Sequence, residues 1–403
     1  MSNSHRADGI ALDSSPAHGA GKLTRLIVIA LISFLTLVDL FAAQAILPEL
    51  VRAYETTPAM MGVAVNASTI GMAGAGLVVA LFSRDVNRRR GIWISLALLA
   101  IPTTLLASAP GIAWFTALRV AQGLCMSTAF TLTMAYLAEQ SGAEDIASAL
   151  AAYISGNVMS NLVGRVVAAA VTDTVGLRAN FYAFALLNLC GAAVVYFGLT
   201  RTEPMRAMTA TMGSALTVLR GHMRNRALRT SFAIGFLILF AFIGTFTYVN
   251  FVLVRAPISL SMMAVGLVYF VFVPAALTTP FAGIIARRIG AQSAFIAAVA
   301  VALVGLPCLL LRRLDAILLG LVLVGVGTFF AQAVATGFVG RAADSDRATA
   351  SGIYLACYYV GGIAGSVVPG AIPVFWLARL CCGGGGRAAA RRSVRDPLEA
   401  SAA

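Results

Sequence analysis

The chain is dominated by eleven apolar runs, each long enough for an α-helix to cross a lipid bilayer, which takes about 20 residues. Because backbone polar groups in lipid must be satisfied within the protein, such a series predicts an all-α, multi-pass membrane protein. The runs occupy residues 25–47, 60–83, 92–109, 112–137, 147–171, 181–200, 230–254, 262–285, 292–311, 316–338 and 350–372.

Composition excludes the main alternatives. The chain is 60% hydrophobic and 11% charged, whereas soluble domains carry about 25% charged residues. These values exclude an ordinary soluble fold and a largely disordered chain. The cysteines and histidines show no metal-ligand spacing, and no P-loop is present. We therefore expect a protein that is not an enzyme and that holds no cofactor or metal.

The apolar runs divide the chain into five regions. Residues 1–22 are polar and predicted to be a disordered cytoplasmic tail. Residues 23–200 are predicted to form an N-terminal six-helix bundle, and residues 201–229 a cytoplasmic linker. Residues 230–372 supply five further helices, and residues 373–403 form an aberrant tail.

The net charge of +13 is explained by orientation rather than by nucleic-acid binding. With the N-terminus inside, the inner segments hold 17 Arg and Lys residues and the outer loops hold 5. This bias predicts a cytoplasmic N-terminus in the cell inner membrane. The mixed basic and apolar stretch 213–229 is predicted to be an amphipathic helix bound to anionic membrane lipids.

The two halves of the chain repeat each other at an offset of 203 residues. Leu50–Ala53 reappears as Leu253–Ala256, and Ala147-Ser148 reappears as Ala350-Ser351. Two parallel halves joined by a basic linker are typical of secondary transporters.

The same offset predicts a twelfth helix over residues 384–403, but the residues there do not suit one. Residues 383–386 are four glycines, and four arginines follow. A shifted reading frame and a genuinely divergent tail are both consistent with this change. We expect two six-helix bundles with the twelfth helix missing or degraded.

Three motifs resemble the major facilitator superfamily, in particular its bacterial drug- and sugar-efflux branch, over about residues 25–370. The turn motif after the second helix of each half is preserved in the second half and degraded in the first, and the fourth and fifth helices carry further matches. The second-half turn contains Gly283, Arg288 and Gly290; the first-half turn contains Arg84, Asp85, Asn87 and Arg88, with Asn87 where a positive-φ glycine is expected; the fourth helix carries Arg119, Gln122 and Gly123; the fifth carries Gly156, Gly164 and Arg165.

Three charges lie deep in the predicted spans, where each costs about 2.5–3.5 kcal/mol. Asp39, Arg119 and Arg165 all lie about 10 Å from the outer end of their helices, at 1.5 Å per residue. We expect Asp39 and Arg119 to face the central cavity and to couple transport to protons, as the resemblance also implies. The alternatives are a static pair or an arginine that reaches the outer interface. Arg165 is either a cavity residue or a partner of lipid headgroups.

Polar side chains within the spans are further candidates for lining the substrate cavity. Hydrogen bonding between helices is the alternative explanation for them, and interfacial anchoring is the alternative for the tyrosine Tyr358. The candidates are Gln44, Asn66, Asn157, Asn161, Tyr248, Asn250 and Tyr358.

The resemblance implies a secondary-active transporter, acting as a monomer, that exports a small drug-like or sugar-like molecule against protons. Two alternatives stay open at this point. One is an uptake symporter or facilitator for a small solute, and the other is a non-transporting remnant.

Overall fold

The computed structural model describes residues 16–82, 86–140, 146–199, 219–311, 313–342 and 347–371. Within them, eleven helices are long and apolar enough to cross a membrane, which confirms the predicted all-α membrane fold. We number them spans 1 to 11. In that order they consist of Pro16–Ala45; Pro58–Asn66 with Ser68–Phe82; Arg88–Leu106; Ile112–Gln140; Ile146–Thr174; Leu177–Gly198; Arg226–Val254; Met262–Val268 with Val273–Thr278 and Ala282–Ile289; Ala291–Cys308; Leu314–Ala342; and Arg347–Ala371.

Spans 2 and 8 are broken into shorter helices, and span 1 is followed by the short helix Leu47–Ala53. Span 8 changes to 3-10 geometry at Tyr269–Phe272 and again at Thr279–Phe281. Local 3-10 stretches inside a long helix often mark functional hinges.

Two boundaries differ from the sequence prediction. The first helix begins at Pro16, inside the predicted disordered tail 1–22, because proline is well tolerated in a first helical turn. Span 7 begins at Arg226 rather than 230, because the Asn225 side chain accepts hydrogen bonds from the backbone N–H groups of Ala227 and Leu228 at 3.0 and 3.3 Å.

The linker is therefore shorter than predicted on its C-terminal side. Residues 219–224 are helical and are separated from span 7 by Asn225, so the single amphipathic helix expected over 213–229 is wrong at that end. Residues 1–15, most of the linker and the aberrant tail 373–403 lie outside the described residues.

Spans 2 and 4 approach each other so closely that only glycine fits at the contact. A Cβ atom added at Gly71 would lie 2.1 Å from the carbonyl oxygen of Val120, and one added at Gly123 would lie 1.9 Å from that of Ser68. Gly123, predicted as part of a conformational motif, thus acts as a packing residue that brings span 4 against span 2.

Equivalent glycine contacts join spans 1 and 5 in the first half and spans 7 and 11 in the second. A Cβ atom at Gly156 would lie 2.0 Å from the carbonyl oxygen of Ala30, and one at Gly361 would lie 2.0 Å from that of Phe236. Gly164 packs against span 1 in the same way. The two halves therefore repeat in packing as well as in sequence.

Within the described residues, the second half has no helix at the place where span 6 packs in the first half. Span 6 covers span 3, with the rings of Trp93 and Tyr196 5.8 Å apart. Of the 18-residue apolar stretch that could cross the membrane, 44% of the residues are buried in span 3, but only 17% in its counterpart, span 9. Among the described residues, no helix covers that face of span 9, as expected when the twelfth helix is missing.

The close contact of spans 2 and 4 generates a test with a matched control on one helix. Gly71→Ala should force the spans apart and lower the thermal unfolding midpoint of the purified protein in detergent, because overpacking costs about 1–3 kcal/mol. Gly74→Ala should leave the midpoint unchanged or raise it slightly, since no atom lies within 4 Å of a Cβ there. Equal midpoints for the two variants would contradict the tight contact.

Candidate functional site

The two halves meet along a central axis, and we name the two ends of the molecule from span 1. The near side is the side on which span 1 begins, and the far side is the side on which it ends at Ala45. Spans 2 and 5 of the first half contact spans 11 and 8 of the second.

A closed ring of buried polar side chains ties the first half together. The carboxylate Oδ2 of Asp39 accepts a hydrogen bond from Asn188 Nδ2 at 2.7 Å, and Asn188 Nδ2 also donates to Thr103 Oγ1 at 3.2 Å. Thr103 Oγ1 accepts from Gln122 Nε2 at 2.6 Å, and Gln122 Oε1 accepts from Arg119 at 2.6 Å. These five side chains connect spans 1, 3, 4 and 6, and we call them the polar ring.

Arg119 closes the ring through the backbone of Asp39 rather than through its carboxylate. Its Nη1 donates to the Asp39 carbonyl oxygen at 3.2 Å, its Nε to the Val65 carbonyl oxygen at 2.8 Å, and its Nη2 to Ser68 Oγ at 3.1 Å. Within the described residues, no ion pair joins the side chains of Asp39 and Arg119.

Asp39 and Arg119 are neighbours, and both are buried inside the first half. Neither is among the described residues that line the cavity between the halves. Arg119 also does not reach the outer interface, since it is 1% exposed and all three of its guanidinium nitrogens have acceptors.

A second group of buried polar contacts joins the two halves on the far side. Asn66 Nδ2 donates to Thr247 Oγ1 at 3.1 Å, and Asn250 Nδ2 donates to the Gln44 carbonyl oxygen at 2.8 Å. Gln44 Nε2 in turn donates to Asn66 Oδ1 at 2.7 Å. We call Gln44, Asn66, Thr247 and Asn250 the far-side seam. Gln44, Asn66 and Asn250 were predicted to line the cavity, whereas Thr247 was not predicted. In the structure, all four join the two halves on the far side.

Arg165 lies in the same seam. Its Nε donates to Asn161 Oδ1 at 2.8 Å, its Nη2 donates to Gln44 Oε1, and its guanidinium carbon lies 4.2 Å from the ring centroid of Tyr269. Arg165 is 0% exposed, so it does not reach lipid headgroups. It occupies the interface between the halves because span 8 packs across span 5.

Tyr248 is not among the described residues that line the cavity between the halves. Its hydroxyl donates to the carbonyl oxygen of Ser366, which joins spans 7 and 11 within the second half.

A narrow cavity, with about 30 Å³ of space open to a water-sized sphere, lies between the halves at mid depth. Of the predicted cavity residues, Asn157 and Tyr358 line it, together with Thr328, Gln332 and Tyr359. The Asn157 Oδ1 atom is buried and has no hydrogen-bond partner among the described atoms. Neither an acidic nor a basic side chain lines this cavity in the part of the chain that the structure describes.

Aromatic rings make up much of the remaining wall. The ring of Phe242 lies 6.4 Å from that of Phe41 across the two halves, and 5.3 Å from that of Phe329. Phe130 lines the opposite part of the wall. Sequence patterning does not separate these rings from lipid-facing phenylalanines, because both kinds lie in apolar spans.

The turn motifs differ between the halves. Gly290 adopts φ +87° between spans 8 and 9, a conformation that favours glycine. Asn87, expected to replace such a glycine, instead has φ −60° and caps span 3 by accepting a hydrogen bond from the Arg90 N–H at 3.0 Å. Asparagine is a strong helix cap, and that role is met here without positive φ.

The remaining motif residues divide between exposed, buried and undescribed positions. Gly283 and Arg288 are exposed, whereas Arg88 is buried and donates to the Val86 carbonyl oxygen at 3.4 Å. Arg84 and Asp85 lie outside the described residues.

Sequence reasoning missed Asn188, Thr103, Ser68, Thr247 and Tyr269. All five are buried within the spans. Small hydroxyl side chains are common in membrane helices, where they often bond to their own backbone, so only Asn188 carried a usable signal as a buried amide in an apolar run. The partners of the others come from distant spans and cannot be read from local pattern.

Thr103 and Thr104 provide a test of the polar ring. Thr103→Val removes the hydroxyl that accepts from both Gln122 and Asn188, so the free energy of unfolding should fall by about 1–3 kcal/mol. Thr104→Val should have little effect, because this partly exposed hydroxyl bonds only to the Ala100 carbonyl oxygen of its own helix. Denaturant titration of both purified variants measures the difference; equal stability would contradict the ring.

Comparison with known proteins supplies the family. The sequence profile described as Major Facilitator Superfamily matches residues 29–366. The uncharacterized MFS-type transporter YybF of Bacillus subtilis (strain 168) is 26% identical over 343 residues, which are 85% of this chain and 84% of that protein. The inner membrane transport protein YnfM of Escherichia coli (strain K12) is 29% identical over 339 residues, 84% of this chain and 80% of that protein.

The fold also has solved relatives. A crystal structure of a bacterial homologue of the human lysosomal transporter Spinster, in an inward-facing and unoccupied conformation, matches with a TM-score of 0.69 at 12% identity. The match covers 86% of this chain and 81% of that chain, and at this identity it shows the fold alone.

Proposed function

This chain belongs to the Major Facilitator Superfamily and is a multi-pass membrane transporter, and we propose that it exports a small molecule in exchange for protons. The observation that carries the proposal is the asymmetry of the interface between the halves. The far-side seam is buried and bonded across the halves, whereas Asn157 and Tyr358 at mid depth keep partial exposure around a cavity. A site between two halves that is closed on one side is what alternating access requires.

The substrate site in this proposal is the central cavity. Its wall combines aromatic and aliphatic side chains with a few polar groups, which is typical of sites for small organic molecules. Asn157 Oδ1 offers an unused acceptor for a hydrogen-bond donor of the substrate. Such a wall suits a drug-like molecule better than a sugar, whose many hydroxyls need many polar partners.

The proton carrier in this proposal is Asp39, with Arg119 as its electrostatic neighbour. Among the residues whose burial is described, Asp39 is the only buried acidic side chain. Its carboxylate is held by Asn188 and not by a salt bridge, so protonation changes one hydrogen bond of the polar ring without breaking an ion pair. Buried acids within membrane spans commonly serve in proton relays.

In this proposal the transporter lies in the inner membrane of the cell, and its near side faces the cytoplasm. The charge bias of the loops supports it. In this orientation the far-side seam closes the molecule toward the outside. The basic linker lies against anionic membrane lipids, and the transporter acts as a monomer.

Single cysteines test this orientation. Ser259 is an exposed serine in the loop between spans 7 and 8, and Ser293 is an exposed serine in the first turn of span 9, at the opposite end of the molecule. On a background in which the native cysteines are replaced by serine, a membrane-impermeant maleimide should label Ser259→Cys in intact cells. It should label Ser293→Cys only after permeabilisation, and the reverse pattern would invert the orientation.

Proton coupling is tested in everted membrane vesicles with a compound selected by a growth screen. Asp39→Asn should abolish proton-driven accumulation of that compound while preserving its binding. The reason is that the amide side chain has nearly the same shape as the carboxylate but cannot bind and release a proton. Asp315→Asn is the matched control, since Asp315 is an exposed acid paired with Arg313. Uncoupler-sensitive accumulation by the Asp39→Asn variant equal to wild type would remove Asp39 from coupling. Accumulation in right-side-out rather than everted vesicles would indicate uptake.

A further inference from the structure

One guanidinium nitrogen of Arg165 has no hydrogen-bond acceptor, whereas all three of Arg119 have one. The Nη1 atom of Arg165 is buried and has no hydrogen-bond partner among the described atoms, and the same holds for Nδ2 of its neighbour Asn161. Both residues are 0% exposed. No described acidic side chain forms an ion pair with Arg165. A buried cation without a counter-ion is costly, and it needs a structural or functional compensation.

The compensation in this conformation is a box of aromatic rings. The guanidinium carbon lies 4.2 Å from the ring centroid of Tyr269, 5.6 Å from that of Phe41, 5.8 Å from that of Phe272 and 5.9 Å from that of Phe246. Aromatic faces attract cations within about 6 Å of the ring centroid. We call these four rings the aromatic box.

The box is divided between the two halves of the transporter. Arg165, Asn161 and Phe41 belong to spans 5 and 1 of the first half. Tyr269 and Phe272 belong to span 8, and Phe246 belongs to span 7. Any rocking motion that opens the far side must therefore take three of the four rings away from the guanidinium.

What remains after such an opening is an uncompensated cation beside a second donor. Arg165 and Asn161 lie four residues apart on one helix, so they stay together as a rigid pair. The two nitrogens without partners, Arg165 Nη1 and Asn161 Nδ2, are both hydrogen-bond donors, which an anion satisfies. One guanidinium matches one negative charge, and a carboxylate matches its fork of donors.

We propose that Arg165 and Asn161 bind the anionic group of the transported molecule when the far side is open, and that the second-half rings Tyr269, Phe246 and Phe272 take the place of that group when the far side closes. This inference rests on the proposed transport function and adds to it the substrate class, an organic monoanion with an apolar or aromatic body. The body would extend from the aromatic box along the cavity wall, because Phe41 belongs to both.

Binding of 1-naphthoate and its neutral amide, 1-naphthamide, to the purified full-length protein by calorimetry tests this site. Wild type should bind the carboxylate roughly tenfold more tightly than the amide, a difference of about 1.4 kcal/mol. Arg165→Gln should remove this preference, and Arg165→Lys should keep part of it. Arg89→Gln is the matched control, because Arg89 also stacks on a tyrosine, Tyr196 at 5.0 Å, but outside the interface between the halves.

A second variant is expected to bind 1-naphthoate more tightly than wild type, a result that misfolding would not produce. Tyr269→Leu weakens the closed state that competes with the anion, so its affinity for 1-naphthoate should rise severalfold while its affinity for the amide stays low. Equal binding of carboxylate and amide by wild type, an unchanged preference in Arg165→Gln, or no gain in Tyr269→Leu would each overturn the proposal.

The results distinguish a failure of the proposed anion site from a failure of the proposed transport function. Carboxylate binding that depends on Arg165, without proton-driven flux in vesicles, would support the anion site and contradict the proposed coupling. Proton-driven flux of neutral compounds with no preference for the carboxylate would support transport and overturn the anion site.

Discussion

A guanidinium group buried in a membrane bundle needs hydrogen-bond acceptors for its N–H groups. The acceptors of Arg119 come from several spans, so this one side chain connects the helices of the first half. Its hydrogen bonds reach the carbonyl oxygens of spans 1 and 2 and the side chain of Gln122. Gly123, one turn further along span 4, lets spans 2 and 4 approach to backbone contact, which brings Arg119 close to the Val65 carbonyl oxygen and Ser68 of span 2. The polar ring and the tight packing of the first half therefore occur at the same contact between spans.

Arg165 is buried equally deeply but solves the same problem with contacts that cross the interface. Arg119 keeps its partners if the first half moves as a rigid body, because all of them belong to that half. Arg165 loses the Tyr269 ring as soon as the halves separate. Charge-assisted contacts across a moving interface change strength with conformation, whereas contacts inside one half do not. The contacts of Arg119 therefore stay within one half, whereas those of Arg165 include rings from the other half.

The sequence predicted the number, order and approximate bounds of the spans because about 20 apolar residues in a row have few alternatives in a bilayer. It also drew attention to Asp39, Arg119 and Arg165, because a charge at that depth is costly. It could not show whether any of them lines the cavity, since depth along a helix axis says nothing about the rotation of the helix. Gln44 and Asn157 illustrate the limit: both are amides in apolar runs, yet one seals the far side and the other lines the cavity. The partners Asn188 and Tyr269 come from other spans, so no local pattern indicates them.

In the proposed mechanism, the position of Asp39 constrains how protons drive the transport cycle. Its carboxylate bonds to Asn188 inside the first half, and Asp39 is not among the residues that line the cavity. A substrate bound in that cavity would then be linked to Asp39 through span 1, whose residues Leu40 and Phe41 follow Asp39 directly and line the cavity. Phe41 also forms one wall of the aromatic box around Arg165. A small rotation of span 1 on protonation would move the cavity wall and the box together, and this links the proton site to the far-side seam through a single helix.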